Sequence, residues 1–138
     1  MNRVVVFSVP GEPVAKGRPR FSRSGAAYTP ARTANYETLV RLEYERQVGE
    51  HRFPPSANLA IRVEAYLSIP KSASRKRRSD MELGLIRPLK RPDADNLLKS
   101  VADALNEVAY RDDSQIVYAE ISKRYSSRPR IEVTLWEL

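Results

Sequence analysis

From Leu59 to Leu67 the chain alternates apolar and polar residues, with Leu59, Ile61, Val63, Ala65 and Leu67 spaced two apart. Side chains of a β-strand point in turn to the two faces of its sheet, so this period puts five apolar groups on one face. Such a strand is stable only in a sheet whose apolar face is covered. The natural cover lies downstream. Over Asp93–Val108, the residues Leu97, Val101, Ala104, Leu105 and Val108 recur at helical spacing and make one stripe.

The remaining elements follow from shorter signals. Arg3–Val9 is β-branched and reads as a strand. Pro10–Thr29, with Gly11, Gly17, Gly25 and three prolines, reads as a long basic loop. Tyr36, Leu39, Val40, Tyr44 and Val48 give a helix over Ala31–Glu50, closed by Phe53-Pro54-Pro55-Ser56. Lys71–Gly84 is a basic insert that fits a short helix or a mobile loop. Arg111–Ser114 is a turn, and Ile116–Tyr125 and Arg130–Trp136 are strands joined at Ser126–Pro129. The 138 residues suit a single compact domain, 1–138. The expected fold class is α+β, a mixed β-sheet packed with two main helices.

Composition narrows the chemistry. There is no cysteine and one histidine, His51, so disulfides, thiol catalysis and Cys- or His-rich metal sites are excluded. No apolar run approaches the ~20 residues of a bilayer span, and a soluble cytoplasmic protein is expected. The net charge of +7 leans towards a polyanion. Its distribution says more. Lys71, Arg75, Lys76, Arg77, Arg78, Arg87, Lys90 and Arg91 stand against only Asp80 and Glu82, and Lys16, Arg18, Arg20 and Arg23 against Glu12. Between these two basic arms and the last strands lies an acidic stretch, with Asp93, Asp95, Asp103, Glu107, Asp112 and Asp113 against Lys99 and Arg111. A pure nucleic-acid binder has little use for acids beside its footprint, whereas a metal-dependent nuclease needs them.

Within that stretch Asp95, Lys99 and Asp103 follow at i, i+4 and i+8, off the apolar stripe. If the turn at Asp112-Asp113 lies beside the helix N-terminus, three carboxylates converge. Oxygen ligands without Cys or His favour Mg²⁺ or Mn²⁺, and a nearby lysine suits charge building on a phosphate. Each residue also has a plainer reading: Asp93 as a helix cap, Asp95–Lys99–Asp103 as a solvated charge stripe, Asp112-Asp113-Ser114 as a turn. Ser74–Arg78 equally suits a localisation signal or a solvated surface. Lys16, Arg18 and Arg20 suit phosphate contacts. Phe21 and Tyr28 suit base stacking, with core burial the expected role.

Several segments taken together resemble the RusA family of Holliday junction resolvases. They are Gly11–Arg20, then Tyr28-Thr29-Pro30, then Arg91-Pro92-Asp93-Ala94-Asp95-Asn96-Leu97-Leu98-Lys99, then Asp103-Ala104-Leu105, then Asp112-Asp113-Ser114-Gln115-Ile116-Val117. They fall in register along nearly the whole chain. The resemblance implies a homodimeric, bacterial or prophage-encoded endonuclease that uses Mg²⁺, or Mn²⁺ in its place, to nick two opposed strands of four-way junction DNA. It implies Asp93, Asp95 and Asp113 as metal ligands with Asp112 in reserve, Lys99 as the catalytic lysine, and a structural part for Asp103. DNA contacts are then expected from Lys16, Arg18, Arg20, Arg75, Lys76, Arg77, Arg78, Lys90 and Arg91. A nuclease for flaps or single strands and a non-catalytic DNA-binding module are the competing readings.

Overall fold

A computed structural model describes residues 3–17, 20–28 and 31–138, the side chains of Arg20 and Tyr28 excepted. Its elements are β1 (Val4–Pro10), β2 (Arg20–Phe21), β3 (Ala27–Tyr28), α1 (Ala31–Gln47), β4 (Leu59–Ser68), α2 (Arg75–Glu82), α3 (Ala94–Ala104), a 3₁₀ turn (Asp113–Gln115), β5 (Ile116–Ser126) and β6 (Arg130–Glu137). Four strands form one mixed sheet in the order β1-β6-β4-β5, and β2 and β3 form a separate hairpin. The α+β class expected from the residues is therefore present, with three α-helices among the described residues where two main ones are expected.

The alternating segment is the centre of the sheet. β4 pairs antiparallel with β6 and parallel with β5, and its Ile61, Val63, Ala65 and Leu67 are buried while Arg62 and Ser68 are exposed. On the covered face these residues meet Val5, Phe7 and Val9 of β1, Ile131, Val133 and Leu135 of β6, and the apolar sides of α1 and α3 in one core. α1 contributes Tyr36, Val40 and Tyr44, spaced by four. α3 contributes Leu97, Val101 and Ala104, followed by Leu105.

Parallel pairing of β4 and β5 decides where the acidic stretch lies. Leu59 opens β4 opposite Ile116, which opens β5, so both strands start at the same edge of the sheet. The chain leaving β4 at Ser68 must travel back to that edge before β5 can begin. α3 makes the return journey. Its N-terminus therefore sits towards the end where β4 finishes, and the Asp112–Gln115 turn towards the end where β5 starts.

One open alternative is settled and three local expectations change. The basic insert becomes a helix because Ser74 caps it, its side chain accepting the Arg77 N–H at 3.2 Å. Gly84 closes it at φ 80°, and a Cβ there would meet Arg124 Nη2 at 2.6 Å. Pro10–Thr29 is not all loop, since it holds the β2–β3 hairpin. The acidic helix stops at Ala104 and not at Val108: Glu107 takes φ 65°, and the chain turns so that Tyr110 is buried with its hydroxyl donating to Ala102 O at 2.6 Å. The apolar period runs on through Val108 because these residues still face the core, though no longer as helix. α1 likewise ends three residues early, before Gly49 at φ 91°.

Leu97 is fully buried between α3 and the sheet, so Leu97→Ala opens a cavity beneath the helix that carries the acids. The expected loss is about 2–5 kcal/mol in urea unfolding, with an unchanged m-value. A loss below ~1 kcal/mol would show that this helix is not held by its stripe.

Candidate active site

Burial of Leu97, Val101 and Ala104 fixes the rotation of α3 about its axis, and this turns Asp95, Lys99 and Asp103 to the other side. Asp93 and Asp95 are exposed at the first turn, which the chain enters through a cis Arg91–Pro92 peptide. Asp93 holds the extended backbone of an N-cap, yet its side chain makes no capping bond. Asp93 is thus the N-cap by position but does not cap with its side chain, and both carboxylates face solvent where the helix dipole favours negative charge. Lys99 stands exposed one turn further on.

Asp112 and Asp113 have different tasks. Asp112 accepts the Ser114 N–H at 3.0 Å while Gln115 Oε1 accepts the Asp112 N–H at 3.2 Å, a reciprocal cap for the 3₁₀ turn. The Ser114 hydrogen bonds hold the Asp112 carboxyl below its ordinary value. Asp113 turns the other way, half-buried, with its N–H donating to Asn106 Oδ1 at 2.8 Å. Its carboxyl is pushed above the ordinary value, first by burial and then by Asp103, which lies within hydrogen-bond reach; Asp112 adds to this and Asn106 opposes it. Two carboxyls thus share one place, a situation that a proton or a cation relieves.

The third participant is Lys16. Its side chain is 18% exposed, and the ammonium donates to Glu37 Oε1 at 2.5 Å and lies 3.4 Å from Asp103 Oδ2. Burial alone would lower its pKa, but Glu37 and Asp103 outweigh it and hold the ammonium above its ordinary value. The Lys16 N–H donates to Asn96 O at 3.1 Å and the Gly17 N–H to Thr33 Oγ1 at 3.0 Å. Lys16 thereby joins the basic loop to α1 and α3 and cancels part of the charge at Asp103. Glu37, Thr33, Asn96 and Asn106 carry no local sequence signal for these contacts. Each meets a partner 7 to 21 positions away or, for Asn96, through its backbone.

The site residues named from the sequence are not all brought together. Among the described residues, no three Asp, Glu or His side chains group so as to hold a metal ion. Asp95 and Asp103 are eight residues apart on one helix, a rise of about 12 Å, so α3 separates an Asp93/Asp95 end from an Asp103/Asp113 end. Asp103 is the acid that Asp113 meets. Arg75, Lys76 and Arg77 are exposed on α2, Arg78 is half-buried, and Lys90 and Arg91 are exposed just before α3. Arg18 lies outside the described residues, as does the side chain of Arg20.

Over residues 10–136 the sequence matches the family model Endodeoxyribonuclease RusA. The chain belongs to the RusA endodeoxyribonuclease family. It is 40% identical to the uncharacterized protein YqaN of Bacillus subtilis (strain 168), covering 97% of this chain and 96% of that one. It is 43% identical over 49 residues to a crossover junction endodeoxyribonuclease rusA of Lactococcus phage r1t, covering 35% of this chain and 37% of the phage protein. Membership of the RusA family makes this chain an endodeoxyribonuclease. Among its described residues no helix is long and apolar enough to cross a membrane.

Because the folded-state pKa of Asp113 is raised above its ordinary value of 3.8, stability is lost as pH rises from that ordinary value through the folded one, and the cost is absent only well below 3.8, where folded and unfolded groups are both protonated. Asp113→Asn in metal-free buffer is expected to raise Tm by about 2 °C at pH 7.5, and the gain is expected to shrink as pH falls and to disappear below pH 3.8. A lowered Tm at pH 7.5 would mean that Asp103 and Asp113 do not repel one another.

Proposed function

We propose that this RusA-family enzyme resolves four-way DNA junctions by paired phosphodiester hydrolysis in recombination and repair, with Mg²⁺ as cofactor and Mn²⁺ as substitute. The observation that carries the reading is the row Asp95, Lys99, Asp103 along α3, which ends at Asp113, with Lys16 of the basic loop against Asp103 and the basic α2 preceding it in the chain. The acidic side chains of the row offer carboxylate oxygens, the donor set of a hard divalent cation. The shared place of Asp103 and Asp113 is one that such a cation fits. The family resemblance assigns Asp93, Asp95 and Asp113 as the holders; Asp113 stands with Asp103 at one end of α3, and Asp93 and Asp95 stand at the other. A bound divalent ion supplies polarisation of the scissile phosphate and a more acidic water.

The chain's own groups do the rest. Lys99 presents a charged ammonium between the two acidic ends of α3, where it meets the negative charge that builds on a phosphate under attack. Lys16 holds Asp103 in place through a contact that its Glu37 bond braces. Arg75, Lys76, Arg77, Arg78, Lys90 and Arg91, with Arg18 and Arg20, supply phosphate contacts that position the duplex arms without reading sequence.

A four-way junction has two equivalent strands to cut, and one site cuts one strand, so the reading requires a homodimer with two-fold symmetry. The sheet face away from the helices suits that contact. Val4 and Val6 are exposed there, Trp136 and Tyr118 lie 6.4 Å apart, and the cations are already paired, Arg62 with Glu120 and Arg130 with Glu132. On a strongly basic protein, a face with neutralised charges fits a second copy better than it fits phosphate.

Asp95→Asn tests the chemistry apart from the binding. With Mg²⁺ on a synthetic four-way junction, cleavage is expected to fall by at least about a hundredfold while junction affinity stays within about twofold, since phosphate contacts come from Lys and Arg. Unchanged cutting by the variant would remove α3's first turn from the site. Wild-type protein that binds the junction and cuts nothing with Mg²⁺ or Mn²⁺ would favour the binding module.

A further inference from the structure

We propose that the β2–β3 hairpin is a base-stacking element, and that Phe21 at its edge receives an unstacked nucleobase of the branched substrate. This rests on the reading of the chain as a junction nuclease and adds a recognition residue to it. Core burial was the expected role of Phe21; instead its side chain is 72% exposed. An isolated exposed aromatic needs no explanation by itself, but four features of this one point in the same direction.

The hairpin is well formed in its own right. Phe21 pairs with Ala27, the Ser22 N–H donates to Ala26 O at 2.9 Å, and the Gly25 N–H donates to Ser22 O at 2.9 Å with Gly25 at φ 84°. The ring is thus presented by a defined turn, and its cross-strand neighbour is too small to cover it. The hairpin is also separate from the main sheet. A two-stranded ribbon in water is marginal until something packs against it.

Charge says what that partner is. Between Glu12 and Glu37 there is no acidic residue, whereas Lys16, Arg18, Arg20, Arg23 and Arg32 all fall in that interval. An aromatic residue in a stretch of chain rich in cations and free of acids has the composition of a single-strand stacking platform. Chain length says where it acts. Lys16 and Gly17 are bonded to Asn96 in the first turn of α3 and to Thr33 of α1. Phe21 follows Gly17 by four residues, so it lies no more than about 15 Å from that anchor. Bases are paired and stacked along duplex arms and come free only at a branch point or in a single strand. The ring is therefore placed to distinguish a branch from a duplex close to the acidic row.

Phe21→Ala is measured against wild type for affinity to a four-way junction, to a linear duplex and to a single-stranded oligonucleotide, at several salt concentrations. The expected result is a loss of about 5- to 100-fold on junction and single strand, less than about twofold on duplex, and an unchanged salt slope, since no phosphate contact is removed. Phe21→Trp is expected to restore binding and Phe21→Leu to fail. With 2-aminopurine at the branch point, the wild type changes the fluorescence and the alanine variant does not. Equal losses on all three DNAs, or none, would overturn the proposal, as would full rescue by leucine. A thermal melt within about 2 °C of wild type shows that the fold is intact, as expected for a hairpin outside the core. Should wild type show no preference for the junction while single-strand binding still depends on Phe21, the junction reading fails and the stacking role stands.

Discussion

Everything functional in this protein depends on how α3 is pressed onto the sheet. Leu97, Val101 and Ala104 lose essentially all contact with water against the face that β4 and its neighbours present. Burial at about 25 cal/mol per Å² of apolar surface is the largest favourable contribution available, and it acts on rotation as much as on stability. Once the stripe is down, Asp95, Lys99 and Asp103 have only the opposite side to occupy. The parallel pairing of β4 with β5 then sets the direction of the helix and brings Asp113 to Asp103. The acidic row is a consequence of packing.

A second constraint connects the basic loop to that row. Lys16 lies near the surface yet mostly covered, and its two carboxylate partners come from different helices. An ion pair so placed contributes little net stability, because desolvation offsets much of the attraction. Its value is positional. It fixes the root of the segment that precedes the hairpin, and it keeps Asp103 from being wholly unpaired beside Asp113. The loop and the helix are therefore tied together at Lys16, which suits a surface that must align phosphates with carboxylates.

Much of this architecture is legible in the residues because it is local. The period of two at Leu59–Leu67 and the period near 3.6 from Leu97 to Leu105 each state an element and its buried face. The DxDNxxK run and the Asp-Asp-x-Gln turn state the family. What could not be read depends on distance or on short structure. The hairpin has strands of two residues, too short for any alternation to show. The Lys16–Glu37 contact joins residues 21 apart, and nothing near Glu37 marks it. Val108 keeps the helical period after the helix has ended, because the period reports burial and Glu107 breaks the backbone. The convergence of Asp93, Asp95 and Asp113 was conditional on the turn lying beside the helix N-terminus. The topology puts it at the other end, where Asp103 is waiting.

The most direct test of the account is to map, nucleotide by nucleotide, where the purified protein cuts all four strands of a synthetic junction with Mg²⁺ and with chelator. The account predicts nicks on two opposed strands, at symmetric positions near the branch point, in equal yield and only when the metal is present. Cuts confined to one strand, cuts spread along duplex arms, or cutting that persists in chelator would contradict it.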